Sequence, residues 1–140
     1  MQTHNPKQSI EDLLFSFQKK ILGAIRTEVK NLNCSLPQME LMRYLHDNER
    51  ISLSDAARLL GISKPSASVM IDGMEHRGLI RRTVPDSDRR SVILALTAKS
   101  KKLVRTIAEK KRKVIRVLLE KMNAKDQASL SHLLAKLIEE

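Results

Sequence analysis

Residues 84–92, VPDSDRRSV, set two aspartates beside two arginines in a turn-like stretch, with the β-forming run SVILAL starting at Ser91. Paired guanidinium groups at the tip of a hairpin suit one kind of chemistry, the grip of a phosphate backbone or a narrow, electronegative groove. The bland alternative is a solvated Asp–Arg turn, worth at most about 1 kcal/mol. Further cations flank this stretch: Lys64, Arg77, Arg81 and Arg82. The chain as a whole holds 26 Lys and Arg against 16 Asp and Glu, a formal charge of +10, and such a balance favours a polyanionic partner. Two Phe, one Tyr and no Trp leave almost nothing on which to stack unpaired bases, so a duplex read through its grooves is the expected nucleic acid.

Catalytic chemistry has little to work with. G-x-S-x-G, H-E-x-x-H and C-x-x-C are absent, and Gly73 and Gly78 have P-loop spacing but are followed by Leu79-Ile80 rather than Lys-Ser/Thr. The histidines at 4, 46, 76 and 132 are scattered, and His46 lies too far from Cys34 for a local metal clip. An enzyme is not expected, nor a cofactor or a metal. Cys34 is the one cysteine, which agrees with a reducing compartment; it reads as a small apolar residue, with a redox-sensing thiol as the alternative. No apolar run approaches bilayer length, and MQTHNPKQSIEDLL has no basic segment leading into an apolar one. No membrane association is expected, and a cytoplasmic location follows by default.

These cations need elements to hold them. In 9–32, Ile10, Leu14, Phe17, Ile21, Ile25 and Leu32 recur at helical steps, and Leu13, Leu22 and Val29 widen the stripe, so a long helix covered on more than one side is expected. After NCSLP a second helix runs from Pro37 to His46, and DNER reads as a turn. Ser52 and Asp55 have capping-box spacing for a helix over 53–60, and Gly61 sits where a left-handed residue ends it. Ser63 caps the next helix, with Pro65 in its first turn; Ala67, Met70, Ile71 and Met74 form its apolar face and Gly78 ends it. Two helices joined by a Gly-centred turn make a helix-turn-helix. LIRRTV and SVILALT then read as a hairpin with a long tip. Thr97 caps a helix over 98–122; the interval 98–121 holds ten Lys or Arg and two Glu. Asn123 and Asp126 suggest a capping box for a last helix, whose apolar residues are Leu130, Leu133, Leu134, Leu137 and Ile138.

The fold expected is mainly α with a small β-hairpin wing: one domain over 1–140, with a winged helix-turn-helix lobe at 37–97 and dimerisation helices at 8–36 and 98–140. LPQMELMRYL, ISLSDAARLLGISKPSASVMIDGMEHRGLIRR and DSDRRSVILALT, in that order and followed by a basic helix, resemble the MarR family of bacterial transcriptional regulators. Nearly the whole chain is covered, most specifically 53–97. The resemblance implies an obligate homodimer whose terminal helices interlock, a second helix of the motif in the major groove, and a wing in the adjacent minor groove. It implies repression of a nearby operon, relieved by a small molecule, often an anionic aromatic.

The major-groove candidates are then Lys64, Pro65, Ser66, Ser68 and Val69. An α-helix fits the groove where base edges differ. Lys64 stands near the helix start, where the dipole also favours a phosphate. Ser66 and Ser68 can donate to bases or phosphates, or serve only as helix surface. Val69 departs from the polar or basic residue usual in the family; it either packs on a thymine methyl or makes no contact. The family's Asp-x-Arg wing signature maps onto Asp88 and Arg90, the first orienting and the second entering the minor groove, with Arg89 beside them. Ser63, Arg77, Arg81 and Arg82 are the candidates for phosphates. Phe17, Leu36 and Met39 belong either to the core or to an effector pocket. The basic helix after residue 98 is read as mostly solvated, with a non-specific electrostatic share. The rival reading is a basic helical interaction module that binds a protein partner or an anionic membrane surface.

Overall fold

The computed structural model describes residues 7–85 and 91–139. Asp88, Arg89, Arg90 and His4 therefore lie outside the described residues. The order of elements is α1 (Ile10–Val29), a 3-10 turn (Lys30–Leu32), α2 (Leu36–Asn48), β1 (Arg50–Ser52), α3 (Leu53–Leu60), α4 (Lys64–His76), β2 (Ile80–Thr83), β3 (Ile93–Leu96), α5 (Ala98–Leu119) and α6 (Ala124–Ile138). The chain forms two compact units, one of residues 30–108 and one built from the segment ending at Val29 with that starting at Glu109. The boundary falls inside α5, eleven residues beyond the expected lobe edge at Thr97.

The 30–108 unit holds most of the core. Leu41, Met42, Ala56, Ala67, Ile71, Met74 and Leu94 are fully buried. Ala56 and Ala67, with single-methyl side chains, let α3 and α4 approach closely. Gly61 takes φ 64°, a left-handed conformation that costs a side chain strain, and turns the chain from α3 towards α4. Ser63 caps α4: its hydroxyl accepts the Ser66 amide at 3.2 Å.

The sheet has three strands in the order β1-β3-β2, all antiparallel. The expected hairpin is β2–β3; β1 is additional, where the sequence reads as a turn running straight into α3. Three residues are too few to show strand alternation, and their pairing with Ile93, Leu94 and Ala95 is a long-range event. Alternation sets the faces. Ile51, Ile80, Leu94 and Leu96 point to the core; Arg50, Arg81 and Ala95 share one rung of the outer face.

Several caps differ from expectation. The capping box of α2 is Ser35 with Gln38, reciprocal at 3.3 and 3.0 Å. At α3, Ser52 accepts the Asp55 amide at 3.1 Å, but the short Asp55 carboxylate turns to Arg58, at 3.1 Å, instead of closing a box. Asn123 accepts the Asp126 amide at 2.8 Å, and no return bond is formed. Thr97 does cap α5, in a reciprocal pair with the fully buried Ser100, and its hydroxyl also donates to the Gly78 carbonyl at 2.6 Å. That bond ties the start of α5 to the turn that ends α4.

In the other unit, α1 ends at Val29 and passes into the 3-10 turn rather than running on to residue 32. Glu28 lies 3.2 Å from Lys113 and 3.6 Å from Lys110. The hydrogen bond from Lys113, then the charge of both lysines, holds the Glu28 carboxyl below its ordinary range. Ile10, Leu14, Phe15 and Phe17 on α1 and Leu133, Leu134, Leu137 and Ile138 on α6 are all exposed, and α6 buries no residue. Among the described residues no helix is long and apolar enough to cross a membrane.

Candidate nucleic-acid interface

Ala67, Ile71 and Met74 anchor α4 in the core, so the opposite side of that helix faces out. Its exposed stripe is Pro65, Val69, Asp72 and His76, at steps of four, three and four, flanked by Lys64 and Ser66. Val69 is 72% exposed and central to the stripe. Ser68 is half-buried, and its carbonyl accepts from Arg82 at 3.4 Å. Ser63 donates its hydroxyl to the Ser66 oxygen at 2.8 Å, so the two hydroxyls are linked in the first turn. Of the first three helical amides, Pro65 has none and Ser66 is held by Ser63; that of Lys64 remains to meet an anion. Asp72 and His76 share the outward face, and the reading of sequence alone did not single them out. Continuing the three-four step from Val69 would have found both.

The cations named as phosphate ligands separate. Arg77 is a structural clamp: its guanidinium donates to the Asn33 carbonyl at 2.6 Å and the Leu32 carbonyl at 3.4 Å, with Cys34 Sγ at 3.9 Å. It satisfies the carbonyls where the 3-10 turn ends, and Asn33 there has φ 53°. Arg82 folds back on α4. It pairs with the Asp72 carboxylate, lies 3.9 Å from Glu75 and is only 26% exposed. Both guanidinium groups are engaged within the chain. Sequence reading missed both roles because the partners lie 44 and 10 residues away. Arg81, one residue before Arg82, points to the opposite face of the sheet and is exposed.

Adjacent arginines should therefore behave differently on substitution. Arg82→Ala is expected to lower unfolding stability by about 1–2 kcal/mol, a modest value because Asp72 is exposed and screened. Arg81→Ala should stay within about 0.5 kcal/mol of the parent. Paired urea melts check this, and equal losses would contradict the assignment.

Thr83 and Ile93 close the β2–β3 ladder, and Arg82 braces β2 on α4. A helix-turn-helix whose second helix shows an outward face, followed by a two-stranded ribbon carrying an arginine-rich connection, defines a winged helix-turn-helix DNA-binding module.

Comparison with known proteins agrees with that class. Residues 34–92 match the MarR family model. The HTH-type transcriptional regulator FarR of Neisseria gonorrhoeae is 27% identical over 137 residues, 98% of this chain and 94% of that protein. An uncharacterised HTH-type transcriptional regulator of Bacillus subtilis, YfiV, is 32% identical over 83 residues; the match takes in 59% of this chain and about half, 52%, of that relative. Among solved structures, NadR in complex with 4-hydroxyphenylacetate superposes with a TM-score of 0.66 at 28% identity, covering 99% of this chain and all of that one. Residues 34–92 carry a MarR-family domain, and nearly the whole chain is similar to helix-turn-helix transcriptional regulators.

Proposed function

We propose that the protein is a homodimeric repressor that binds an imperfect palindrome in duplex DNA and leaves it when a small anionic or aromatic effector binds. One observation carries this reading: the solvent-facing stripe of α4, with Val69 at its centre, belongs to the helix on which Arg82 braces β2, and the sequence between β2 and β3 contains Arg89 and Arg90. Lys64, Pro65, Ser66 and Val69 reach base edges from the major groove, with Ser68 at the margin. Arg90, oriented by Asp88, enters the neighbouring minor groove, where negative potential draws a guanidinium without a base code. Ser63 and the Lys64 amide meet a phosphate at the helix start. The exposed apolar faces of α1 and α6 support self-association, since uncovered patches of this kind mark an interface. NadR's complex with an aromatic acid supports the class of effector.

The test is selection of bound duplexes from random DNA with the purified chain, repeated with 4-hydroxyphenylacetate present. Enrichment of a two-half motif with centres about 10 bp apart is expected. So is a steep fall of log K with log salt. No enrichment at low salt, with binding to anionic vesicles instead, would favour the basic interaction module.

A further inference from the structure

The outer face of the three-stranded sheet carries a second feature, which the DNA-binding reading does not use. A cleft of about 800 Å³ opens there, entirely within the 30–108 unit. Its floor is apolar: Ile93 and Ala95 of β3, with the buried Leu45 and Leu96 beneath. Its walls are cationic. Arg50 and Arg81 stand on the same rung, each in register with Ala95 between them, so their Cα atoms are about 10 Å apart across three strands. Lys101 and Arg105, four residues apart on α5, add a second pair. None of these four cations has a carboxylate partner among the described residues. Among the described residues they outnumber the carboxylates that line the cleft, Glu49 alone, by four to one.

We propose that this cleft binds a small organic acid with a flat apolar body and two anionic groups. Four like charges with no carboxylate partner among the described residues, converging on one concavity, are unfavourable until a counterion arrives, and two arginines on one rung suit two separated carboxylates. Ala95 is the smallest side chain available between them, and it leaves the floor open where a larger residue would fill it. The volume lies within the range of small-ligand sites, about 300–1,000 Å³. A duplex backbone meets convex, solvated cations rather than a concave apolar floor, so the cleft is not an extension of the DNA surface. No residue of α4 lines it, and an occupant would leave the recognition helix uncovered. Thr83 and Pro85 do line it, with Ile93 across from them, so a ligand there grips both strands where they enter the wing. The site thereby deepens the effector reading given above. Its effect on DNA rests on that reading; its capacity to bind does not.

The experiment titrates the full chain, without DNA, with benzene-1,3-dicarboxylate, benzoate and inorganic phosphate, following methyl NMR signals and heat. Benzene-1,3-dicarboxylate should bind more tightly than either control and shift the Ala95, Ile93 and Leu96 methyls. Arg50→Gln with Arg81→Gln should weaken it at least tenfold while leaving the thermal midpoint in place. Ala95→Leu, which changes no charge, should weaken it comparably by filling the floor. Shifts confined to other residues, affinity unchanged in both variants, or phosphate equal to the dicarboxylate would each overturn the proposal. So would loss of operator affinity in the arginine variant from a chain that does not bind the dicarboxylate; the cleft would then be a duplex contact. Binding in the cleft by a chain that selects no DNA would retain this site and defeat the repressor reading instead.

Discussion

Leu134→Asp combined with Leu137→Asp is expected to convert the protein to a monomer and to lower its affinity for a palindromic operator at least 100-fold. The two leucines are 45% and 72% exposed on α6, a fifteen-residue helix with no buried position of its own. An amphipathic helix of that length draws most of its stability from packing its apolar side, so this side calls for a cover. α1, in the same unit, shows a matching excess in Ile10, Leu14, Phe15 and Phe17. A second copy of the chain would supply a surface of the same kind, as a two-fold interface requires. Two carboxylates placed in such an interface must be desolvated without partners, which costs several kcal/mol per ion. The effect on DNA is larger than any contact in the groove, because linking two reading heads raises avidity by about 10²–10⁴ without a new contact. Sedimentation velocity beside a binding isotherm on the selected operator checks both halves. A variant that stays dimeric, or a monomer that binds the full palindrome as tightly as the parent, would refute the prediction.

The helix-turn-helix was legible because its signals are local. Ser52, Gly61, Ser63 and Gly78 each do the backbone work that their residue types imply, and Ala67, Ile71 and Met74 are buried as their spacing requires. Where a short side chain had to reach back, at Asp55 and Asp126, spacing alone misled, since a carboxylate one methylene shorter than glutamate does not close the box. The box that does close, Ser35 with Gln38, sits across Leu36-Pro37, which reads as a break in the helix. The intramolecular partners of Arg77 and Arg82 were hidden for another reason. Charge is visible in a sequence, but the carbonyls and the carboxylate that claim it arrive only with tertiary structure. The cleft on the outer sheet face could not be read at all. Its cations come from β1, β2 and α5, and the strand that brings Arg50 into line with Arg81 is three residues long.

Arg90→Ala is expected to weaken operator binding by about 10–100-fold while leaving the dimer and its thermal stability unchanged. Stability should hold because no buried core position lies in the connection among the described residues: Val84 is exposed, and Pro85, Ser91 and Val92 are half-exposed. The ladder that carries the connection ends at Thr83 and Ile93, and its brace on α4 is Arg82, so removing Arg90 leaves the wing's foundation in place. A guanidinium in a narrow minor groove gains from concentrated negative potential and from counterion release. Its loss should therefore reduce the slope of log K against log salt by about one per subunit. Arg90→Lys keeps the charge but gives up the planar fork, and should recover the salt slope more fully than the affinity. Asp88→Asn should fall between parent and Arg90→Ala if that carboxylate orients the arginine. Isotherms at several salt concentrations separate these cases. Equal affinity and equal slope for Arg90→Ala would take the wing out of DNA recognition and leave α4 to read the operator alone.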